Sequence, residues 1–263
     1  MIKSVQAIDY QDVDRPVAVL STDYVNGRHQ QPHSHRRGQL IFASRGVIVV
    51  LAAQRSYTIP PQRALWVPGG VEHESYHNGN VALRTLYISE GACEGLPTTC
   101  QVIEVGPLFR ELIVEAAKLP IEYNLDGRDS HIMGLILDEI ISSRRVPLHV
   151  PMPHSTRLLS VCTNILLEPA QDDALADAAN AANMGRRTFT RAFRRETGES
   201  FASWRRHVRL MKAVALLSEG QGITSVAYDV GYTSASAFTA MFRKAFGVAP
   251  THYFRASEAD PNG

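Results

Sequence analysis

The chain has 263 residues, of which 44% are hydrophobic, and it carries 27 basic and 26 acidic side chains. Its length favours two folded domains, and its composition excludes a collagen-like, a disulfide-rich or a largely disordered protein. No apolar run is long enough for a membrane span, and the acidic N-terminus does not resemble a signal peptide, so we expect a cytoplasmic protein that does not enter the membrane. The three cysteines lack CxxC spacing, which fits a reducing compartment.

Short strands separated by turns are predicted for the first third of the chain. Six segments between about 17 and 90 are rich in Val, Ile, Leu or Tyr and are bounded by Gly, Pro or Asn. This pattern predicts a small β-barrel or β-sandwich.

Helical spacing replaces the strand pattern between 106 and 144, where two helices are predicted. The second helix would carry four apolar residues on one face: Ile132, Leu135, Ile136 and Ile140. Such a face either joins the core of its own chain or forms a dimer seam, and the sequence favours neither. Three prolines within 144–155 then predict a linker.

Basic charge is concentrated in the C-terminal region. Residues 154–256 hold 13 Lys and Arg against 8 Asp and Glu, and eight arginines fall between 186 and 209. Such a density in a helical stretch is typical of phosphate contacts, although a solvated helix face would also produce it.

The same region contains an imperfect internal repeat. The segment LADAANAANMGRRTFTRAFRRETG (175–198) resembles ITSVAYDVGYTSASAFTAMFRKAFG (223–247), with an offset of 48 residues before the turn and 49 after it. In each copy a short apolar helix, a turn and a second helix with aromatic residues four apart form a helix-turn-helix pattern. Ser234 is expected to cap the second helix of the second copy. A long helix between the copies would separate them enough for two successive major grooves.

These segments resemble the DNA-binding module of the AraC/XylS transcription regulators over residues 155–255. The chain departs from the family pattern at Gly185, Ala235 and Ala240. The resemblance implies binding to double-stranded DNA, and we expect Arg187, Thr190 and Arg191 to reach base edges. The other candidate contacts, nearer to phosphates or on the second copy, are Arg186, Arg194, Arg195, Ser234, Ser236, Thr239, Arg243 and Lys244.

A histidine constellation lies in the strand region. His33 and His35 alternate along the chain, and Pro68, Gly70 and His73 follow a later strand. The spacing is similar to the double motif of cupins, G-x5-H-x-H-x3-E-x6-G and G-x5-P-x-G-x2-H-x3-N. The first motif runs here from Gly27 to Gly46. The chain departs from the pattern at three positions, which hold Gln39, Gln62 and His77.

The cupin resemblance implies a site for one divalent transition metal ion. Zn, Ni, Fe or Mn would be held by His33, His35, Gln39 and His73, although an amide is a poorer ligand than the carboxylate it replaces. Alternatively, the histidines line a ligand pocket and hold no metal. The aromatic candidates for effector contact are Phe42, Trp66 and Tyr76.

Together these features predict an α+β protein with four regions. These are a cupin-like β-barrel for effector binding (1–105), linker and dimerisation helices with a Pro-rich linker (106–153), an all-α double helix-turn-helix domain (154–256) and a disordered tail (257–263). The predicted function is that of a transcriptional regulator, an activator or a repressor, that responds to a small-molecule effector. It would act as a homodimer on DNA, with RNA polymerase as a further partner. The competing hypothesis is a metal-dependent cupin enzyme with an accessory helical domain, but no acid or base in the sequence is marked as catalytic.

Overall fold

The computed structural model describes residues 6–25, 27–167 and 175–253. The chain divides into two units, 1–53 with 57–148 and 54–56 with 149–263. The helices expected in a separate linker region therefore belong to the first unit. The expected disordered tail, 257–263, lies outside the described residues.

The described part of the chain before His149 contains eight strands, which follow a short 3-10 helix at Ala7–Tyr10. They are β1 (Val17–Tyr24), β2 (Arg28–His33), β3 (Gly38–Ala52), β4 (Arg55–Ile59), β5 (Arg63–Val67), β6 (His73–Ile88), β7 (Gln101–Glu104) and β8 (Arg145–Val146). The strand order is β1-β6-β3-β5-β7-β8, while β2 pairs with β6 and β4 pairs with β3. Among the described strands no pairing joins β1 to β8, so the sheet is open at these ends rather than closed into a continuous barrel.

The long strands β3 and β6 connect two parts of this sheet. Residues 38–43 of β3 pair with the end of β6, which also pairs with β1, whereas residues 47–52 pair with the start of β6, which also pairs with β2. The register shifts on both sides of Arg45. β3 continues through Gly46, because this glycine adopts a φ of 82° at the bulge.

Two helices, α1 (Pro107–Ala116) and α2 (Arg128–Ser142), complete the hydrophobic core of the first unit. The buried side chains of Ile132, Ile136 and Ile140 belong to the same cluster as Phe42 of β3. Burying an isoleucine side chain stabilises a fold by about 1.5–3 kcal/mol, so these three residues hold α2 in its own chain. Leu135 is 46% exposed and is the one member of the expected face that this core leaves out.

The described residues of the second unit form the strand β9 (His149–Pro151) and six helices. The helices are α3 (Thr156–Leu167), α4 (Leu175–Ala181), α5 (Arg186–Thr197), α6 (Phe201–Ser218), α7 (Ile223–Asp229) and α8 (Ala235–Phe246), followed by a 3-10 turn at Pro250–His252. Trp204 of α6 is fully buried and its indole N–H donates to the carbonyl oxygen of Pro151 at 2.6 Å. None of the described helices combines the length and the apolar character needed to cross a membrane.

The two copies of the repeat have the same backbone turn. Asn183 and Gly231 occupy equivalent positions with φ values of 54° and 79°. After α4, the N–H of Met184 donates to the carbonyl of Ala179, and after α7 the N–H of Tyr232 donates to that of Ala227. Both copies therefore end their first helix in a Schellman motif, which confirms the predicted helix-turn-helix repeat.

The second helices of the two copies begin differently. The backbone N–H of Ala237 donates to the hydroxyl oxygen of Ser234 at 3.2 Å, which confirms the predicted cap of α8. Gly185 precedes α5 without a side-chain cap. A serine cap typically contributes about 1 kcal/mol, so α5 depends more on the packing of its apolar face.

Candidate DNA-binding and effector-binding sites

One exposed face of α5 carries all three residues that are predicted to reach base edges. The face comprises positions i, i+3, i+4 and i+7, which are Arg187, Thr190, Arg191 and Arg194. On the opposite side, Phe189 and Phe193 are fully buried and pack against Phe201 of α6. This packing orients the α5 face toward solvent.

The three arginines of the α5 face form no ion pair with any residue that the structure describes. The flanking Arg195 differs, because its guanidinium lies 3.5 Å from the carboxylate of Glu196. The hydroxyl of Thr190 donates to the carbonyl of Arg186 at 2.9 Å. The α5 face thus presents three unpaired cations, and Arg186 and Arg195 lie exposed beside it.

The corresponding face of α8 carries less charge. Its four residues lie 49 positions later and are Ser236, Thr239, Ala240 and Arg243. They line a shallow depression of about 410 Å³ together with Ala235. Lys244 is exposed beside it, whereas the hydroxyl oxygen of Ser234 serves as the helix cap. The α8 face thus carries one arginine, whereas the α5 face carries three.

The arginine-rich stretch has two different roles in the structure. Five of its eight arginines lie on α5, and Arg205, Arg206 and Arg209 lie on α6. The guanidinium of Arg209 donates to the carbonyl of Gly231 at 3.3 Å, where it supports the turn of the second repeat copy. A β-carbon at Gly231 would lie 3.0 Å from that guanidinium. Charge density alone could not distinguish this structural arginine from the exposed ones.

His33, His35 and His73 converge in the first unit. A ring nitrogen of each lies within 4.8 Å of the others. The pairing of β2 with β6 places His33 opposite His73, and the N–H of Gly70 donates to the carbonyl of His35 at 2.8 Å. The turn at Pro68–Gly70 therefore holds His35 beside the strand pair.

Hydrogen bonds orient two of these imidazoles. The Nδ1–H of His33 donates to the carbonyl of Gln31 at 2.7 Å, and that of His73 donates to Val71 at 3.0 Å. Each ring therefore directs the lone pair of Nε2 toward the cluster. The Nε2 atoms of His35 and His73 are buried without a partner among the described residues, while that of His33 accepts from the amide of Gln30 at 3.1 Å.

Burial lowers the pKa of three histidines in and beside this cluster. It lowers the pKa of His35 to about 4, with further repulsion from His33 and His73, and it also lowers the pKa of His73. His77 behaves similarly, because burial and the nearby Arg28 lower its pKa to about 4. At pH 7 these three imidazoles are uncharged and their free nitrogens can accept hydrogen bonds or bind a metal ion.

A cavity of about 190 Å³ lies beside the histidine cluster. Gln39, His73 and His77 line it together with Arg28, Tyr24 and Tyr87. Gln39, the fourth predicted metal ligand, is 7% exposed, and its amide oxygen has no partner in the described part of the chain. The spacing of the cupin-like motif located Gln39 and His73, whereas Arg28 lies in a polar strand that gave no sequence signal.

The aromatic residues expected to contact an effector do not line this cavity. Phe42 is part of the core that packs on α1 and α2. Tyr76 stacks on His29 with ring centroids 4.2 Å apart. Trp66 lines a separate cavity of about 440 Å³, and its indole N–H donates to the carbonyl of Pro97 at 2.7 Å. Alternation along a strand could not reveal which side of the folded sheet encloses the cavity.

Two family models match the regions of the chain that contain these sites. A family model described as an AraC-like ligand binding domain matches residues 16–141, and one described as a helix-turn-helix domain matches residues 178–256. The HTH-type transcriptional regulator NimR of Escherichia coli K12 is 33% identical over 221 residues, which cover 84% of this chain and 81% of NimR. The chain belongs to the AraC family of transcriptional regulators.

Other relatives are more distant. The HTH-type transcriptional activator RhaS of Escherichia coli SMS-3-5 is 22% identical over 237 residues, which cover 83% of this chain and 85% of RhaS. Among solved structures, ToxT from Vibrio cholerae is 12% identical with a TM-score of 0.39, and the match covers 92% of this chain and 98% of ToxT. The DNA-binding domain of AdpA, solved with a target DNA, is 32% identical with a TM-score of 0.38, over 41% of this chain and all of that domain.

Family membership decides between the two functional hypotheses. The regulator binds DNA through its helix-turn-helix region and has an N-terminal ligand-binding domain. This confirms the predicted α+β class and the predicted regulatory function. Because the named relatives are transcriptional regulators, the regulator is not an enzyme, and the hypothesis of a metal-dependent cupin enzyme receives no support.

Proposed function

We propose that this regulator recognises its operator chiefly through the exposed face of α5, under the control of a small molecule in the N-terminal cavity. The observation that carries the proposal is the set of three unpaired arginines on a helix fixed by two buried phenylalanines. Arginine donates two parallel hydrogen bonds to guanine in the major groove, and it also neutralises phosphates.

The proposed division of labour follows the position of each side chain. Arg187, Thr190 and Arg191 contact base edges, whereas Arg186, Arg194 and Arg195 contact phosphates. On α8 the contacts are mainly to the DNA backbone, since Ala240 occupies the place that Arg191 takes on α5. The residues that make these α8 contacts are Ser234, Ser236, Thr239, Arg243 and Lys244.

Footprinting of the full chain on the DNA upstream of its own gene and of the neighbouring gene tests this proposal. The wild-type protein should protect a defined site, and the double variant Arg187→Ala, Arg191→Ala should lose that protection. Arg110→Ala, on α1, is the matched control and should leave the footprint unchanged. A double variant that protects the same site at the same concentration would contradict the role given to α5.

We also propose that the histidine cluster holds one divalent transition metal ion. Two unpartnered Nε2 atoms and a third directed into the same cluster support this, since three imidazoles form a common ligand set for Zn²⁺. Gln39, on the wall of the adjoining cavity, would be a weak fourth ligand. Binding would require His33 to give up its hydrogen bond with Gln30.

Two further proposed partners are a second copy of this chain and RNA polymerase. We propose a homodimer with the exposed Leu135 of α2 at its seam, because this large apolar side chain is left out of the core that buries its three neighbours. Such a dimer would engage paired operator sites and regulate transcription through RNA polymerase. The regulator would do this in the cytoplasm, where its operator DNA lies.

A further inference from the structure

The cavity of the first unit has an unusual balance of polar groups. Among the described residues, its lining includes one guanidinium, two imidazoles, several amides and hydroxyls, and no acidic residue. Its volume of about 190 Å³ corresponds to roughly six water molecules at liquid density. A ligand that fills it is therefore small, and no carboxylate on the cavity wall would pair with a cationic group of that ligand.

Arg28 supplies the positive charge of this lining. Its guanidinium lies over the ring of Tyr24, 5.0 Å from the centroid, and within the described residues it forms no ion pair with a carboxylate. Two other arginines of the unit are paired with carboxylates, since Arg84 contacts Asp23 at 2.9 Å and Arg63 contacts Glu104 at 3.3 Å. An anion at the cavity would give Arg28 the counter-charge that these residues already have.

Gln39 supplies an unsatisfied group deeper in the fold. It sits on β3, directly opposite Tyr87 of β6 and Val67 of β5 in the strand register. Its amide oxygen is buried, and no residue that the structure describes donates to it. Because buried acceptors are nearly always satisfied, this oxygen calls for a ligand that donates a hydrogen bond.

From these features we infer that the cavity binds a short-chain hydroxycarboxylic acid. The carboxylate pairs with Arg28, and the hydroxyl donates to the amide oxygen of Gln39. An amino acid fits less well, because its ammonium group would find no acidic partner in the lining. This inference rests on the proposed function only in taking the cavity as the effector site.

Four small probes separate the parts of this inference when titrated into the full-length protein by calorimetry. Lactate has both groups, propionate lacks the hydroxyl, lactamide lacks the charge, and alanine replaces the hydroxyl with ammonium. Lactate should bind at least about tenfold more tightly than each of the others, because a site built for a polar group rejects analogues that lack it. Equal affinities for the four probes, or no binding of lactate at tens of millimolar, would overturn the inference.

Two variants assign the preference to residues. Arg28→Gln should abolish the preference for lactate over lactamide, and Gln39→Met should abolish the preference for lactate over propionate. Arg45→Gln changes an exposed arginine that does not line the cavity and should leave both preferences intact. Circular dichroism identifies any variant that fails to fold. Preferences that survive in folded Arg28→Gln and Gln39→Met would also overturn the inference.

Operator titrations of the same proteins, with and without lactate, separate this inference from the proposed function. Selective lactate binding that leaves operator affinity unchanged would retain the ligand class and overturn the effector role of the cavity. Operator binding by a chain that does not discriminate among the four probes would overturn the ligand class alone. Support for both requires selective binding and a change in operator affinity, which for typical coupling is about 5-fold to 150-fold.

Discussion

At the scale of single residues, neighbouring side chains on one helix have separate tasks. Phe189 and Phe193 fix α5 in the core, and Arg191 between them faces solvent. Arg191 lies in the middle of the exposed face, whereas Arg195 lies near the helix end beside Glu196. The contacts expected of these two arginines therefore differ in kind as well as in strength.

Arg191→Ala should reduce discrimination between operator and unrelated DNA by about 1–3 kcal/mol, because a base-contacting arginine is lost. Arg195→Ala should weaken binding to both DNAs by a similar factor, because a phosphate contact carries no sequence information. Titrations of both DNAs at one fixed salt concentration measure the difference. An equal loss on both DNAs in Arg191→Ala would rule out base reading by this residue.

The histidine cluster gives a second prediction at this scale. Protein purified without chelator should contain up to one transition ion per chain, and the double variant His33→Ala, His35→Ala should contain none, because two of three imidazole ligands are removed. His29→Ala is the control, since His29 pairs with Glu74 on the same strand pair. Elemental analysis gives the result directly. Wild-type protein that is free of metal and still responds to an effector would leave the histidines as pocket residues only.

Gly46 allows a test of backbone geometry. Its φ is +82°, and an added β-carbon would lie 2.5 Å from the carbonyl oxygen of Asn80. Gly46→Ala should therefore lower the free energy of unfolding by about 2–4 kcal/mol. Gly79 has a similar φ of +66°, but an added β-carbon there would meet no atom within 4 Å. Gly79→Ala should therefore lower the free energy of unfolding by only about 1–2 kcal/mol, through backbone strain alone. Similar losses in the two variants, measured by urea unfolding, would show that the close approach has no energetic effect.

At the scale of elements, sequence patterns located the helices better than the strands. The repeat could be predicted because Asn183 and Gly231, the buried aromatic residues and the closing glycines recur at nearly constant offsets. β2 was missed because Arg28–His33 is polar and mostly exposed, without the alternation that indicates a strand. The stretch 144–155 was expected to be a linker, but it contains β8 and β9, two strands too short to leave a pattern.

The candidate sites were predictable to different degrees for the same reason. Local spacing predicted that three arginines share one face of α5. It also predicted that His33, His35 and His73 lie close together, as they do in the structure. The cavity depends on which sides of distant strands face one another, so Arg28 and His77 could not be assigned to it in advance. Helical spacing likewise grouped Leu135 with three isoleucines, but in the structure the isoleucines are buried and Leu135 is exposed.

Leu135→Glu tests the proposed seam on α2. A charge at a dimer seam should weaken binding to paired operator sites by roughly tenfold to a hundredfold, while binding to a single site stays unchanged, because only avidity is lost. Leu108→Glu on α1 is a matched control, since Leu108 is also an exposed leucine. Titrations on one-site and two-site DNA measure both effects. Identical affinities of the two variants for paired sites would show that Leu135 does not lie at the dimer seam.

At the scale of the whole molecule, the two repeat copies are alike in backbone and unlike in surface. Both end their first helix in the same turn, and both close the second helix with a glycine in the left-handed region, Gly198 and Gly247. Their corresponding exposed faces carry three arginines on α5 and one on α8. Under the proposed function, the first copy therefore reads the sequence and the second holds the DNA backbone.

A base-substitution scan of the protected operator tests this asymmetry most directly. Affinities of the wild-type protein for every single-base variant should show one steep cluster of positions, costing about 1–3 kcal/mol per substitution, and a nearly flat stretch about one helical turn away. The Arg191→Ala protein should flatten the steep cluster and leave the other stretch unchanged. Two clusters of equal steepness, or a steep cluster that Arg191→Ala does not affect, would contradict the central role of α5.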